Sequence, residues 1–195
     1  MTIRQAALKK SFYTALLFSA LSSQAFAAEP TLTLVAPLSP VVQGSVVDLD
    51  LWIADAVDLY AYQFTLSFNA SVLQAIGVTE GSFLGSSGGT TNADPGTIDN
   101  SLGSIALVFN TLQSAIPGVS GSGSLAHISF NVVNVGSSVM SFSDAIFLNS
   151  NLGDLTVTVQ PLTLQAVAVP EPSSYLLFGA GLAGLAALRR RRIAA

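Results

Sequence analysis

Apolar residues recur at alternate positions in block after block between Glu29 and Ala168, and no segment of that span shows a convincing amphipathic helix. In Tyr60-Ala-Tyr-Gln-Phe-Thr-Leu-Ser-Phe68 every even residue is bulky and every odd one is small or polar. A period of two belongs to a half-buried strand with one face on a core. The same alternation marks Val47/Leu49/Leu51/Ile53, Ile105/Leu107/Phe109, Ala126/Ile128/Phe130/Val132 and Leu155/Val157/Val159, and residues 161–168 read as a last strand running into a linker. Clusters of Gly, Ser, Asn and Pro at 42–45, 85–96 and 117–123 supply the turns. Short strands joined in this way predict an all-β sandwich or jelly roll, whose two inner faces share one core.

With 195 residues the chain has room for one compact domain of roughly 100 to 150 residues and short terminal extras. All seven bases lie at the ends: Arg4, Lys9 and Lys10 at the start, and Arg189, Arg190, Arg191 and Arg192 at the finish. The eleven acids, from Glu29 to Glu171, all fall between them, so that region is formally −11. Such a charge argues against nucleic acid as a partner, because that affinity comes largely from Lys and Arg neutralising phosphates. The absence of cysteine excludes disulfides, thiolate nucleophiles and Cys-based metal sites.

The ends carry addresses. Residues 1–27 combine a basic start, an apolar run over 12–21 and the small-residue exit Ala25-Phe26-Ala27, the three parts of a secretory signal peptide cleaved after Ala27. Residues 175–188 are uncharged and apolar, and the four arginines follow at once. Fourteen residues make a helix of about 21 Å, which needs Pro172 to Ser174 and snorkelling arginines to approach a hydrocarbon core of about 30 Å. The positive-inside rule keeps the arginines cytoplasmic and the domain outside, so a short transmembrane helix anchored transiently in the inner membrane is expected.

Just upstream stands Val169-Pro170-Glu171-Pro172-Ser173-Ser174. A Pro-Glu-Pro triplet, a short Gly-rich apolar helix and a terminal arginine cluster, in that order, resemble the PEP-CTERM sorting signal of Gram-negative bacteria over residues 169–192. The resemblance implies recognition by an exosortase-type membrane protease acting on Pro170, Glu171, Pro172 and the arginines. It further implies removal of the tail and delivery to the cell surface or to an extracellular polysaccharide matrix. The expected organisation is a signal peptide at 1–27, a sandwich domain at 29–168 and a sorting tail at 169–195.

The sandwich itself resembles the cohesin domain, the dockerin-binding module of cellulosomal scaffoldins. The carrying residues are Val42-Gln-Gly-Ser-Val-Val-Asp-Leu-Asp-Leu-Trp-Ile53, Asp58-Leu-Tyr-Ala-Tyr-Gln-Phe-Thr-Leu-Ser-Phe68, Gly81-Ser-Phe-Leu84, Asp99-Asn-Ser-Leu-Gly-Ser-Ile105 and Gly118-Val-Ser-Gly-Ser-Gly-Ser-Leu-Ala-His-Ile-Ser-Phe130. The chain departs from the family where Phe68-Asn69-Ala70 replaces an aromatic-Asp-Pro turn. It departs again at Ala61 and Gln63, which replace the Asn and Asp of the best-known cohesin type. The resemblance implies a non-catalytic cohesin-like jelly-roll sandwich binding a dockerin-like or other exported protein. It also implies that strands 60–68, 104–110 and 124–133 are neighbours in one sheet. Counting parity from the core side then places Ala61, Gln63, Thr65, Ala106, Val108, Leu125 and His127 on one outward patch, unusually apolar for a solvent face and hence a candidate partner site. Asp154 falls outside it.

Other chemistry is weaker. His127, the one histidine, would need a serine and an acid beside it in a cleft to form a triad. Asp48, Asp50, Asp55 and Asp58 are dense enough to offer a glycosidase carboxylate pair, so a small glycoside hydrolase stays as a third reading. A carbohydrate- or exopolysaccharide-binding matrix protein is the second. No cofactor is expected, although Asp94, Asp99 and Asn100 lie in a Gly-rich loop whose oxygens suit Ca²⁺ or ordinary turns.

Overall fold

The structure, a computed structural model, describes residues 28–169 and 178–183. The signal-peptide residues, including Ala25 and Ala27, the Pro170-Glu171-Pro172 triplet and the four arginines lie outside the described residues. Residues 178–183 are helical, and no described helix is long and apolar enough to cross a membrane.

Eleven strands follow in order: β1 (Thr31–Val35), β2 (Val41–Val42), β3 (Val46–Ser67), β4 (Leu73–Glu80), β5 (Thr91–Asp94), β6 (Thr97–Asp99), β7 (Ser104–Leu112), β8 (Val119–Val132), β9 (Gly136–Asn149), β10 (Thr158–Val159) and β11 (Leu162–Val167). The 22-residue β3 organises them. Its first half pairs with β1 on one edge, Leu32↔Ile53 and Leu34↔Leu51, and with β8 on the other, Leu49↔Ile128 and Leu51↔Ala126. Its second half pairs with β7, Gln63↔Phe109, and with β9, Gln63↔Ile146. A strand has only two edges, so the halves belong to two layers. One layer runs β10-β1-β3-β8-β4 and the other β2-β11-β9-β3-β7, with β5 and β6 on the far edge of β7. The result is a jelly-roll β-sandwich.

The crossing between layers falls at 55–58, where Asp55 and Asp58 take φ of 56° and 58°. Asp tolerates this left-handed region better than most residues because its short side chain bonds locally. Ser122 and Ser120 of β8 accept from the Asp55 and Asp58 backbone N–H groups, both at 2.9 Å. The Asp58 carboxylate in turn accepts from the Gly118 N–H at 2.7 Å and from the Ser150 hydroxyl at 2.8 Å, which ties β3 to the start of β8 and the end of β9. Those bonds, the Ser150 hydroxyl first, hold its pKa below the ordinary Asp value.

The core lies between the layers. Leu49, Leu51, Ile53, Ile128 and Phe130 face Phe64, Leu66, Ile105, Met140 and Leu164, all fully or almost fully buried. Phe68, just past the end of β3, meets Phe130 edge-on, with centroids 5.1 Å apart, and the Tyr62 hydroxyl of β3 donates to the Leu125 carbonyl at 2.7 Å, so both side chains reach the opposite layer. Burial pushes the Tyr62 phenol well above its ordinary pKa.

The inward stripe Tyr62, Phe64, Leu66 and Phe68 follows the alternation read from the sequence. Two strands break it. In β7 the Leu107 residue takes φ of 57° at a register shift against β3, so Leu107 points out at 57% exposure while Val108 turns in at 2%. In β8 the register slips between Leu51 and Trp52, and both Leu125, 1% exposed, and Ala126 become buried. A bulge inserts one extra residue, which reverses the parity of all that follows. The alternation at 155–159 yields only the two-residue β10, although Leu155 and Val157 still pack on the core. β9 escapes the alternation test because the polar Ser138 faces inward, fully buried, where its hydroxyl accepts from the Asn69 N–H at 3.0 Å.

Candidate functional site: the outer face of the β9-β3-β7-β5 layer

Residues directly opposite each other on antiparallel strands share a face. From the outward Gln63, pairing gives the row Ile146, Gln63, Phe109, Asp94 across β9, β3, β7 and β5. From Ala61 it gives Leu148, Ala61, Thr111, Asn92, and an isolated bridge extends this row from Leu148 to Asp154. Between the two rows runs a shallow, mainly apolar groove of about 240 Å³, lined by Ala61, Gln63, Phe109, Thr111, Ile146 and Leu148. Ile146 is 45% exposed.

Of the residues placed on the partner patch from the sequence, Ala61 and Gln63 line the groove, and Thr65 follows them on the outward side of β3 beyond its lining. Ala106 lies on β7 opposite Thr97 of β6, outside the groove lining. Val108 and Leu125 are buried and belong to the core, a correction that follows from the bulges in β7 and β8. His127 sits on β8, which pairs with the first half of β3 and with β4, so it occupies the opposite outer face. The assumption that 124–133 lies beside 60–68 fails because β3 changes layers at 55–58. Asp154, placed outside the patch, stands at its rim. Phe109, Ile146 and Leu148 were missed. The aromatic Phe109 reads as core until the bulge is known, and β9 carries no regular alternation.

On the opposite face Asp50 receives the Ser124 hydroxyl. The His127 Nδ1 is 3.4 Å from the same carboxylate oxygen, and its Nε2 is 3.5 Å from Ser124 Oγ. The three residue types of a hydrolase triad therefore meet, but the serine proton points to the carboxylate and not to the ring. Ser124 is itself buried at 6% exposure, which closes its hydroxyl to a substrate, so the three form a hydrogen-bond cluster on the sheet. Trp52, 38% exposed, lies two residues from Asp50 on the same strand face. Asp48 receives the Ser129 hydroxyl, and Asp55 and Asp58 sit at the crossing, so the four acids do not form one cleft.

Asp94 Oδ1 accepts from the Gly96 N–H at 2.8 Å, and Asp99 Oδ1 accepts from the Ser101 and Leu102 N–H groups. Asn100 bridges both polar groups of Ala75. These are turn and strand-end bonds. Among the described residues no three His, Asp or Glu side chains group as metal ligands.

Two sheets that share one strand, closed over a common core, define a jelly-roll sandwich. The chain matches the cohesin domain over residues 33–165 and belongs to that family. Residues 168–192 match the PEP-CTERM protein-sorting motif, which marks an exported, surface-sorted chain. No curated protein matches it. Among solved structures the chain is similar to a second type II cohesin module from the adaptor scaffoldin of Acetivibrio cellulolyticus, with 14% identity, TM-score 0.62 and coverage of 77% of this chain and 97% of that one. It is also similar to a non-cellulosomal cohesin of the archaeon Archaeoglobus fulgidus, with 19% identity, TM-score 0.55 and coverage of 76% and 96%. A third similar structure belongs to a type II cohesin-X-dockerin complex of Acetivibrio cellulolyticus, with 15% identity, TM-score 0.62 and coverage of 71% and 100%. At these identities the likeness is one of fold.

Proposed function

We propose that the chain is an exported, non-catalytic module that binds a dockerin-like protein on the outer face of β9-β3-β7-β5. The observation that carries this reading is the groove between Ile146, Leu148, Ala61 and Phe109, apolar on a face where a sheet meets water. Apolar patches with polar rims mark partner sites, and a stable complex buries about 800 Å² on each side. Cohesin family membership and the dockerin complex among the similar structures support it. The tail would hold the domain at the inner membrane until an exosortase-type protease cuts near Pro170 to Pro172 and releases it to the surface or matrix.

The test is capture of exported partners from the native secretome by the exported chain and its Ile146→Asp variant. A charge in the centre of a desolvated groove should weaken binding by about 2 kcal/mol or more, while folding holds because Ile146 is half in solvent. Capture that is unchanged in Ile146→Asp removes this face from consideration.

A second reading, polysaccharide binding, is favoured by one feature: Trp52, 38% exposed, follows Asp50 by two residues on the opposite outer face. An indole face with polar neighbours can stack a sugar ring. Depletion of the chain by insoluble polysaccharide, lost in Trp52→Ala and kept in Ile146→Asp, would select it.

A further inference from the structure

The two ends of the sandwich differ in charge. β11 finishes at Val167, whose carbonyl accepts from the Gln43 N–H at 2.9 Å. Backbone bonds then link turn to turn around that end: the Gly44 N–H donates to the Val132 carbonyl at 2.8 Å, Val133 to Val72 at 2.9 Å and Phe68 to Gly103 at 2.8 Å. The connections 36–45, 68–72, 100–103 and 133–135 therefore surround the point where the tail leaves, and none of them contains Asp, Glu, Lys or Arg. Leu102, Val135, Val167 and Val169 are exposed there, and Leu38 is fully so. The nearest acid, Asp99, has its carboxylate occupied by the Ser101 and Leu102 N–H groups. At the far end stand Asp55 and Asp58 in the crossing, Asp154 after β9 and Glu29 ahead of β1. Resting on the reading of residues 175–188 as a membrane anchor, we infer that the tail-bearing end is a lipid-docking surface, on which the domain stands against zwitterionic phospholipid until the tail is cut.

The tether makes a weak contact sufficient. Residues 168–174 separate Val167 from the apolar run, and fully extended they span about 24 Å at about 3.4 Å each. A link that short gives an effective concentration in the millimolar range, so a surface too weak to recruit a free domain stays occupied. Exposed apolar side chains favour the contact, because interfacial affinity grows with the apolar area buried. Charge sets the orientation. Anionic lipid in the leaflet repels the carboxylates elsewhere on the domain, and this end approaches with the fewest. Cutting the tail removes the tether and hence the docking, so release needs no change within the domain.

The chain has no cysteine, so a single engineered one takes a fluorophore at a chosen place. The test uses the exported chain, tail intact, in phosphatidylcholine nanodiscs with a minor fraction of headgroup-nitroxide lipid as quencher. One label sits at Ser39→Cys at the tail end and another at Asn151→Cys at the far end, both exposed positions. A second form carries a Gly/Ser spacer of about 20 residues after Val169, whose coil spans about 25 Å and frees the domain to turn. In both forms the Ser39→Cys label should be quenched about fivefold or more over the Asn151→Cys label. The triple change Leu38→Ser, Leu102→Ser, Val135→Ser should bring the two labels within about twofold of each other in the spacer form, and folding should hold because all three side chains are exposed. A contrast that vanishes in the spacer form of the parent, or that survives the triple change, overturns the inference and leaves the tether alone to place the domain. A chain that stays with the discs but shows no contrast leaves the anchor standing and sinks the docking surface, whereas a chain that leaves the discs sinks both. Absent contrast, together with loss of tail cleavage in cells carrying the triple change, would assign this end to the processing protease and overturn the lipid assignment.

Discussion

At the scale of single residues, polar side chains at irregular backbone positions hold the sandwich together. Asp58 has a positive φ and a carboxylate that collects Gly118 and Ser150. Because those bonds favour the charged form, its pKa is lower folded than unfolded. The stabilisation is therefore complete above the unfolded value, about 3.9, and is lost as pH falls through the folded one. Asp58→Asn should lower the thermal midpoint at pH 7, and the gap between variant and parent should narrow below about pH 4. A gap that widens on acidification would contradict the latch. Leu125 shows the converse: at 1% exposure a carboxylate placed there would be buried in the core and would cost folding, so it cannot report on a binding face.

At the scale of elements, bulges decide which side chains face the partner. Leu107 adopts a left-handed φ, which costs an L-residue about 1–2 kcal/mol, and its exposed side chain recovers little by packing. Glycine relieves that cost while adding freedom to the unfolded chain worth about 1 kcal/mol or less. Leu107→Gly should accordingly be neutral or slightly stabilising in urea unfolding, whereas the β-branched Leu107→Val should destabilise by about 1 kcal/mol or more. The reverse order would mean that the bulge relaxes on substitution. The outcome matters for the site, because the same bulge turns Phe109 outward beside Gln63.

At the scale of the whole molecule, the charge distribution sets behaviour in solution. Ten carboxylates and no Lys or Arg in residues 28–169 keep domains apart at neutral pH. Acidification discharges that repulsion while the apolar groove stays exposed, so self-association should rise as pH falls toward about 3.5. Sedimentation velocity of the exported chain across that range checks it, and stronger association at pH 7 than at pH 4 would contradict it.

The sequence by itself determined what depends on local pattern. Period-two alternation specifies strands and one inward stripe, Tyr62 to Phe68, since a pleated strand sends successive side chains to opposite faces whatever its neighbours. Segregated charge and the terminal motifs specify export and sorting in the same local way, and Ala61, Gln63 and Thr65 were legible as outward residues. Tertiary structure alone decided the rest. Whether Val108 or Leu107 faces the core depends on a bulge set by pairing with β3, and whether His127 joins Gln63 depends on β3 leaving one layer for the other at Asp55 to Asp58. Ile146, Leu148, Asp94 and Asp154 become neighbours of Ala61 and Gln63 only through register between distant strands. Register is fixed by the fit of the whole core, which no local window of sequence contains.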